Sequence, residues 1–292
     1  MKTIDLHTHT TASDGTLTPA ELVKLAKRNN LAAMAITDHD TIEGLLEARK
    51  FQEENLHCYR NLEIISGIEF STVLPDIGQD IHILGLYINE QDPAFVERLK
   101  DLVDSREARN HRMVDKLQRL GVPLTMEDVV ACATDGVVTR AHFGKAMVQK
   151  GVVSSMEEAF EVWIGNGQPG FIPREKTTPK DAIRLILNCG GIPVLAHPNL
   201  YGLDDSSLDS LVGRLKDLGL MGIEGLYPLY GHREERFMAK LAQKYGLFIT
   251  GGSDFHGANK EDIKLGTGRG NMSIPYALLE PLKRYHESYF GS

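Results

Sequence analysis

Short apolar runs alternate with longer stretches in which apolar residues recur at helical spacing. The runs Ile4 to Leu6, Ala32 to Ile36, Ile64 to Phe70 and Ile81 to Ile88 read as strands. Ile192 to Ala196, Gly222 to Leu226 and Leu247 to Thr250 add three more late in the chain. Helices fall between them. Thr18-Pro19-Ala20-Glu21 predicts a helix start, with Thr18 as N-cap, Pro19 in the first position and Glu21 three residues after the cap. Thr178-Pro179-Lys180-Asp181 repeats the signal with Asp181 in the acidic place. Strand–helix alternation of this kind predicts parallel β/α architecture.

The rhythm breaks between Pro93 and Gly170, where no strand pattern is found. Phe95 to Leu120 predicts one long charged helix with Leu99, Leu102, Val103, Met113 and Leu117 on its apolar face. Shorter helices are expected at Met126 to Ala133, Ala141 to Lys150 and Met156 to Ile164, and the run from Gly165 to Gly170 reads as a loop. The expected organisation is one β/α domain from residues 1–92 and 171–292, interrupted by a helical insertion at 93–170.

Length and composition narrow the class. At roughly 150 residues per domain, 292 residues make about two domains or one barrel-sized domain. Apolar residues at 42% and charged residues at 25% are ordinary for a soluble globular protein and exclude a disordered tail, a collagen-like rod and a coiled coil. The formal net charge of −8 argues against broad binding to a nucleic-acid backbone, though not against a small phosphorylated ligand. Cys58, Cys132 and Cys189 are sparse and unpaired in spacing, no apolar run is long enough to span a membrane, and the start turns polar by Asp5. Together these predict a cytoplasmic protein with no membrane association and no stable protein partner.

The chemistry-bearing residues fall at the predicted strand ends. His7 and His9 follow the first strand, Asp38-His39-Asp40 the second, and Glu69 ends the third. His82 opens the fourth, His197 ends the fifth, Glu224 lies in the sixth, and Ser253-Asp254-Phe255-His256 follows the seventh. A parallel β/α barrel gathers such ends at one mouth. His7 and His9 are two apart, so on an extended segment both side chains point the same way and can chelate one ion; Asp254 and His256 share that spacing. Neutral imidazole with carboxylate suits Zn, Mn or Fe, and so large a ligand set exceeds the needs of one ion.

These motifs resemble the PHP (polymerase and histidinol phosphatase) family. HxH, TDH, GxE, a lone histidine, AHP and a late SDxH appear in order as His7/His9, Thr37-Asp38-His39, Gly67-Ile68-Glu69, His82, Ala196-His197-Pro198 and Ser253-Asp254-Phe255-His256. The resemblance covers residues 1 to about 90 and 170 to about 270. It implies a distorted seven-stranded parallel β/α barrel holding two or three divalent ions, with Mn²⁺ the first expectation and Zn²⁺, Fe²⁺ or Mg²⁺ as alternatives. It further implies a first ion on His7, His9, Glu69 and Asp254, a second on Glu69, His82 and His197, and a third on Asp14, His39 and His256. Asp14 departs from the pattern, since many members carry histidine there.

Clustered divalent ions suit hydrolysis of phosphate esters, one ion activating water and the pair stabilising attacking and leaving oxygens. Glu69 would bridge two ions beside that water. Asp38 or Asp40 is expected to orient His39, although Asp40 reads equally well as a helix N-cap before Thr41. His197 is a further catalytic candidate, as proton donor to the leaving oxygen. The opening segment, TDHDT and the helical insert resemble the family's nucleotide-acting subgroup. That implies removal of the 3′-phosphate from nucleoside 3′,5′-bisphosphates, adenosine 3′,5′-bisphosphate giving AMP and phosphate. The alternatives are 5′-to-3′ trimming of short 5′-phosphorylated RNA, histidinol phosphate hydrolysis, or a non-catalytic nucleotide-sensing role. A small nucleotide, or a short RNA, is therefore the expected partner.

For the substrate's second phosphate, Arg140 and His142 stand at a predicted helix start, and Arg174 and Lys176 lead back to the barrel. Tyr201 and Phe255 are placed to stack on a base. Arg106, Arg109 and Arg112 have helical spacing and read mainly as a solvated face. Neither GxxxxGK[ST] nor GxGxxG after a strand is present, and the Gly-rich run at Gly266 to Gly270 reads as a loop.

Overall fold

All seven apolar runs form strands in the computed structural model, which describes residues 2–76, 78–133, 138–173 and 177–290, apart from the side chain of Phe290. They are β1 (Thr3–Asp5), β2 (Leu31–Ile36), β3 (Glu63–Val73), β4 (Asp80–Leu86), β5 (Ile192–Leu195), β6 (Gly222–Leu226) and β7 (Phe248–Gly251). The helices are α1 (Pro19–Arg28), α2 (Glu43–Glu54), α3 (Leu56–Tyr59), α4 (Pro93–Arg119), α5 (Met126–Val130), α6 (Arg140–Gln149), α7 (Met156–Glu158), α8 (Pro179–Asn188), α9 (Asp205–Asp217), α10 (His232–Tyr245) and α11 (Leu279–Phe290). Thr18 and Thr178 cap α1 and α8 with the reciprocal bonds that their Glu21 and Asp181 partners predict.

Each strand pairs with the next in one seven-stranded sheet. β1, β2 and β3 run parallel, as do β5, β6 and β7. β4 corrects the parallel expectation, because it is antiparallel to both β3 and β5. The reason is chain length. Only residues 74–79 join β3 to β4, and a parallel crossover needs a dozen residues or more. The two edges of the sheet meet through the segments that continue them. Leu6 N donates to Gly251 O (3.2 Å), Asp254 N to His7 O (2.9 Å) and His9 N to Phe255 O (2.9 Å).

Side chains alternate across the strands as period-2 geometry requires. Ile4, Leu6, Ala33, Ala35, Ile65, Leu84 and Val194 share one buried cluster, closed by Ile274, Leu279 and Leu282. Met34 and Ile36 point the other way, into a second cluster with Leu22, Val23 and Ala26 of α1. The segment between β4 and α8 is helical, as expected. The first half of α4 packs Phe95, Leu99 and Leu102 against the helix layer of the sheet. Its second half packs Met113, Val114 and Leu117 into a separate cluster with Phe143, Met147 and Ile164. The helix expected from Met156 to Ile164 is α7 followed by a π-turn at Ala159–Ile164. Among the described residues no helix is long and apolar enough to cross a membrane.

Candidate functional site

The strand ends deliver their polar residues to one place. Beyond β2 the chain stays extended, so His39 bridges Glu69 of β3, with Glu69 N donating to Asp38 O (3.2 Å) and Asp40 N to Glu69 O (3.0 Å). His7 and His9 are held against Asp254 and Phe255 by the bonds that join the sheet's edges. The reversal of β4 explains His82. It opens its strand, and a strand running backwards starts at the mouth where its neighbours end.

Glu69 is the centre of the cluster and is buried. Its Oε2 lies 3.2 Å from each of His7 Nε2, His9 Nε2 and His39 Nδ1. Its Oε1 lies 2.9 Å from His82 Nδ1 and 3.1 Å from His197 Nε2. Asp254 Oδ1 faces His9 Nε2 at 3.3 Å and His7 Nε2 at 3.5 Å. Asp14 Oδ1 is 3.2 Å from His256 Nε2, and its Oδ2 is 3.8 Å from His39 Nε2. Burial opposes charge on Glu69, but the surrounding imidazoles outweigh it and hold the carboxyl well below its usual range.

The donor set fits divalent cations. His7 Nε2 and His9 Nε2 are buried and, among the described residues, have no hydrogen-bond partner, although carboxylate oxygens face both. Two orphaned imidazole nitrogens and a carboxylate converging on one point are what a shared ion requires. The geometry offers ligand groups at His7, His9 and Glu69, at His7, His197 and Asp254, at His39, Glu69 and His82, and at His9, Asp14, His39 and His256. The grouping implied by the resemblance differs from this in three ways, one being that His197 groups with His7 and Asp254 rather than with Glu69 and His82. His39 faces the Glu69–His82 position as well as Asp14, and His9 reaches toward the Asp14 corner.

Glu224 is the largest omission from the sequence-derived site. It is buried in β6, accepts from His7 Nδ1 (3.1 Å) and from His197 N (2.7 Å), and so fixes the His7 tautomer with Nε2 aimed at the cluster. Its position within the sixth strand was visible in the sequence. Asp5 serves the backbone, accepting from Ser253 N (2.8 Å), Ser253 Oγ (2.5 Å) and Gly266 N (2.7 Å). Burial outweighs these bonds and raises its pKa to about 6. This bond also gives the Gly-rich loop a structural role.

Several expected roles are corrected by position. Asp38 does not steer His39; it accepts from Thr10 N (2.7 Å), Thr10 Oγ1 (2.7 Å) and Ser13 Oγ (2.6 Å), which shapes the loop carrying Asp14. Asp40 is no helix cap, since Ile42 occupies that position in α2. Asp40 instead pairs with Arg106 and accepts from Ser71 N (3.3 Å). Arg106 and Arg109 are accordingly buried rather than solvated, while Arg112 is exposed. His142 is buried and caps its own helix, accepting from Thr139 N at 3.1 Å. Tyr201 is buried with its hydroxyl donating to Ala196 O (2.6 Å) and accepting from His82 N (3.0 Å), so it braces the cluster and has no face for a base. Phe255 is packed in the α1 core. Arg174 and Lys176 lie outside the described residues.

A pocket of about 430 Å³ opens beside the cluster. Asp14, His39 and His82 line its inner end, Arg106 and Arg109 are also in its wall, and Phe160, Asn166 and Phe171 come from the helical segment. Arg140 lines it too, with Nη2 on Asp80 Oδ2 (2.8 Å) and Nη1 donating to Asn166 Oδ1 (2.8 Å). Arg140 is thus paired with Asp80 in the pocket wall, as Arg106 is with Asp40.

A sheet whose strand ends gather this many buried imidazoles and carboxylates beside a pocket has the donor set of a metal-dependent hydrolase. The chain belongs to the PHP family, whose PHP domain model matches residues 5–163. The 5′-3′ exoribonuclease Rnm of Salmonella typhimurium is 36% identical over 252 residues, 86% of this chain and 84% of that protein. The 3′,5′-nucleoside bisphosphate phosphatase of Chromobacterium violaceum is 30% identical over 257 residues, 88% of each chain. A crystal structure of a candidate metal-dependent phosphoesterase from Bifidobacterium adolescentis superposes with a TM-score of 0.81 at 29% identity, covering 97% of this chain and 96% of that one.

Proposed function

We propose that this phosphoesterase removes the 3′-phosphate of nucleoside 3′,5′-bisphosphates, with adenosine 3′,5′-bisphosphate as the test substrate. The observation that carries the reading is the pocket. Its volume of about 430 Å³ suits one nucleotide, and its wall carries the buried Arg106 and Arg109 alongside the candidate ligands His39 and His82. The reacting phosphate would lie at the histidine end. The second phosphate would lie against the arginines, where a guanidinium in a low-dielectric wall binds strongly.

His7, His9, Asp14, His39, Glu69, His82, His197, Asp254 and His256 would hold the ions, Mn²⁺ being the first to try. When bound, such ions lower the pKa of water and offset charge developing on the phosphoryl group. The protein's own residues do the rest. Glu69 spans two ligand groups with its two oxygens, Glu224 orients His7, and Asp38 holds the Asp14 loop in place. His197 Nε2 faces Glu69, so we assign it as a ligand rather than as the leaving group's acid.

A second reading, trimming of short 5′-phosphorylated RNA from its 5′ end, is favoured by the higher identity to the Salmonella typhimurium exoribonuclease. Product analysis separates the two. On a mixture of adenosine 3′,5′-bisphosphate and a 5′-phosphorylated trinucleotide, the proposal expects AMP and phosphate to accumulate first. Mononucleotide release from the RNA with the bisphosphate untouched would replace it with the exonuclease reading.

A further inference from the structure

Asp254 presents its two oxygens to different worlds. Oδ1 faces the cluster, 3.3 Å from His9 Nε2, 3.5 Å from His7 Nε2 and 3.4 Å from His256 Nδ1. Oδ2 is taken by Tyr227, whose hydroxyl donates at 2.7 Å, and by Lys260 Nζ at 2.5 Å. The carboxylate can therefore give an ion one oxygen only.

The lysine is held there by the fold. It ends a single 3₁₀ turn, Gly257–Lys260, that docks on the loop bearing Asp14. Ala258 N donates to Thr16 Oγ1 (2.8 Å) and Asn259 Nδ2 to Asp14 O (2.7 Å). Gly257 sits at φ +65°, and a Cβ there would fall 2.1 Å from Thr16 Oγ1, so the turn needs glycine to dock. An ammonium is thus fixed beside the corner formed by Asp14, His39 and His256.

Charge then limits the ions. Asp14, Glu69, Asp254 and the supporting Glu224 together balance two dications; Asp5 and Asp38 are turned to backbone and hydroxyl donors. A third dication held by Asp14 and His256 would sit one imidazole away from Lys260, because His256 also faces Asp254, the carboxylate that carries the ammonium. We propose that Lys260 is a positioning residue that substitutes for part of a third ion's charge and holds the cluster to two tightly bound ions, leaving the Asp14–His39–His256 corner weak. This rests on the metal-cluster reading and not on the choice of substrate.

Metal-stripped protein is titrated with Mn²⁺ by calorimetry, and bound metal is counted after equilibrium dialysis. The wild type should hold two ions tightly, and Lys260→Met should tighten a third by at least about tenfold, from removal of one nearby charge. Lys260→Arg keeps the charge and should retain the two-ion behaviour, as should the exposed-site control Lys264→Met. Three tight ions in the wild type, or identical isotherms for wild type and Lys260→Met, would overturn the proposal. If Lys260→Met does not fold, the wild-type and Lys260→Arg stoichiometries decide it alone. No ion bound by the wild type would remove the metal reading itself.

Discussion

Glu224 accepts the Nδ1 proton of His7 at 3.1 Å across 217 residues of sequence, and its other oxygen accepts from the backbone of His197 at 2.7 Å. One carboxylate thus ties the first candidate ligand to the fifth strand's end. Glu224→Gln keeps the shape and loses the charge. We expect metal affinity to fall about 10–100-fold, the usual cost of removing such a supporting group, with the thermal unfolding of the metal-free protein little changed. Equilibrium dialysis with Mn²⁺ measures it, and an unaltered affinity would contradict the assignment.

The Asp40–Arg106 pair is buried on both sides. Removing one partner leaves a buried charge uncompensated. Arg106→Met should cost about 3–5 kcal/mol, and the double change Arg106→Met with Asp40→Asn should recover most of it. Urea unfolding of Arg106→Met, Asp40→Asn and the double variant tests this. Additive losses would show that the two groups are not energetically coupled.

Metal loading should release protons. In the metal-free cluster burial works to lower the His9 pKa, but Asp254 and Glu69 outweigh it and raise it to about 9. His7 is raised as well, against burial, by Glu69 and Glu224. At pH 8 the His9 imidazole is therefore largely protonated before an ion displaces the proton. Apparent affinity should rise with pH up to about 9, where His9 loses its own proton. A pH-stat titration with Mn²⁺ at pH 8 should show acid release, and none would count against these protonation states.

Gly252 lies where β7 passes the start of the ligand run. A Cβ there would sit 2.2 Å from His7 Cβ and 2.6 Å from His7 N. Gly252→Ala cannot be absorbed without moving His7. The variant should lose most metal-dependent activity and unfold at lower temperature, as read by steady-state kinetics and calorimetry.

Much of this architecture was readable because it is local. Period-2 apolar runs place all seven strands, and the Thr-Pro-x-acid signals place the starts of α1 and α8. The ligand motifs were readable because each hugs a strand end. The direction of β4 was missed although the short Pro75–Gly78 turn signal announced a hairpin, and His82 at the start of its strand was the other clue. Arg106 and Arg109 were misread for a deeper reason. Three arginines at helical spacing look solvated until Asp40, sixty-six residues away, is seen to meet one of them in the pocket wall. His142 and Tyr201 were misread because their partners Thr139 and Ala196 are set by cap geometry or tertiary contact rather than by residue type.

The most direct test of the central claim is phosphate release from adenosine 3′,5′-bisphosphate by Mn²⁺-loaded wild type and Glu69→Gln, each with and without a chelator. Glu69 offers an oxygen to each side of the cluster, so losing its charge should cost about 10³-fold or more in rate. The account predicts one phosphate per AMP from the wild type, abolished by the chelator and lost in the variant. Equal rates in the two proteins, or turnover that survives chelation, would contradict it.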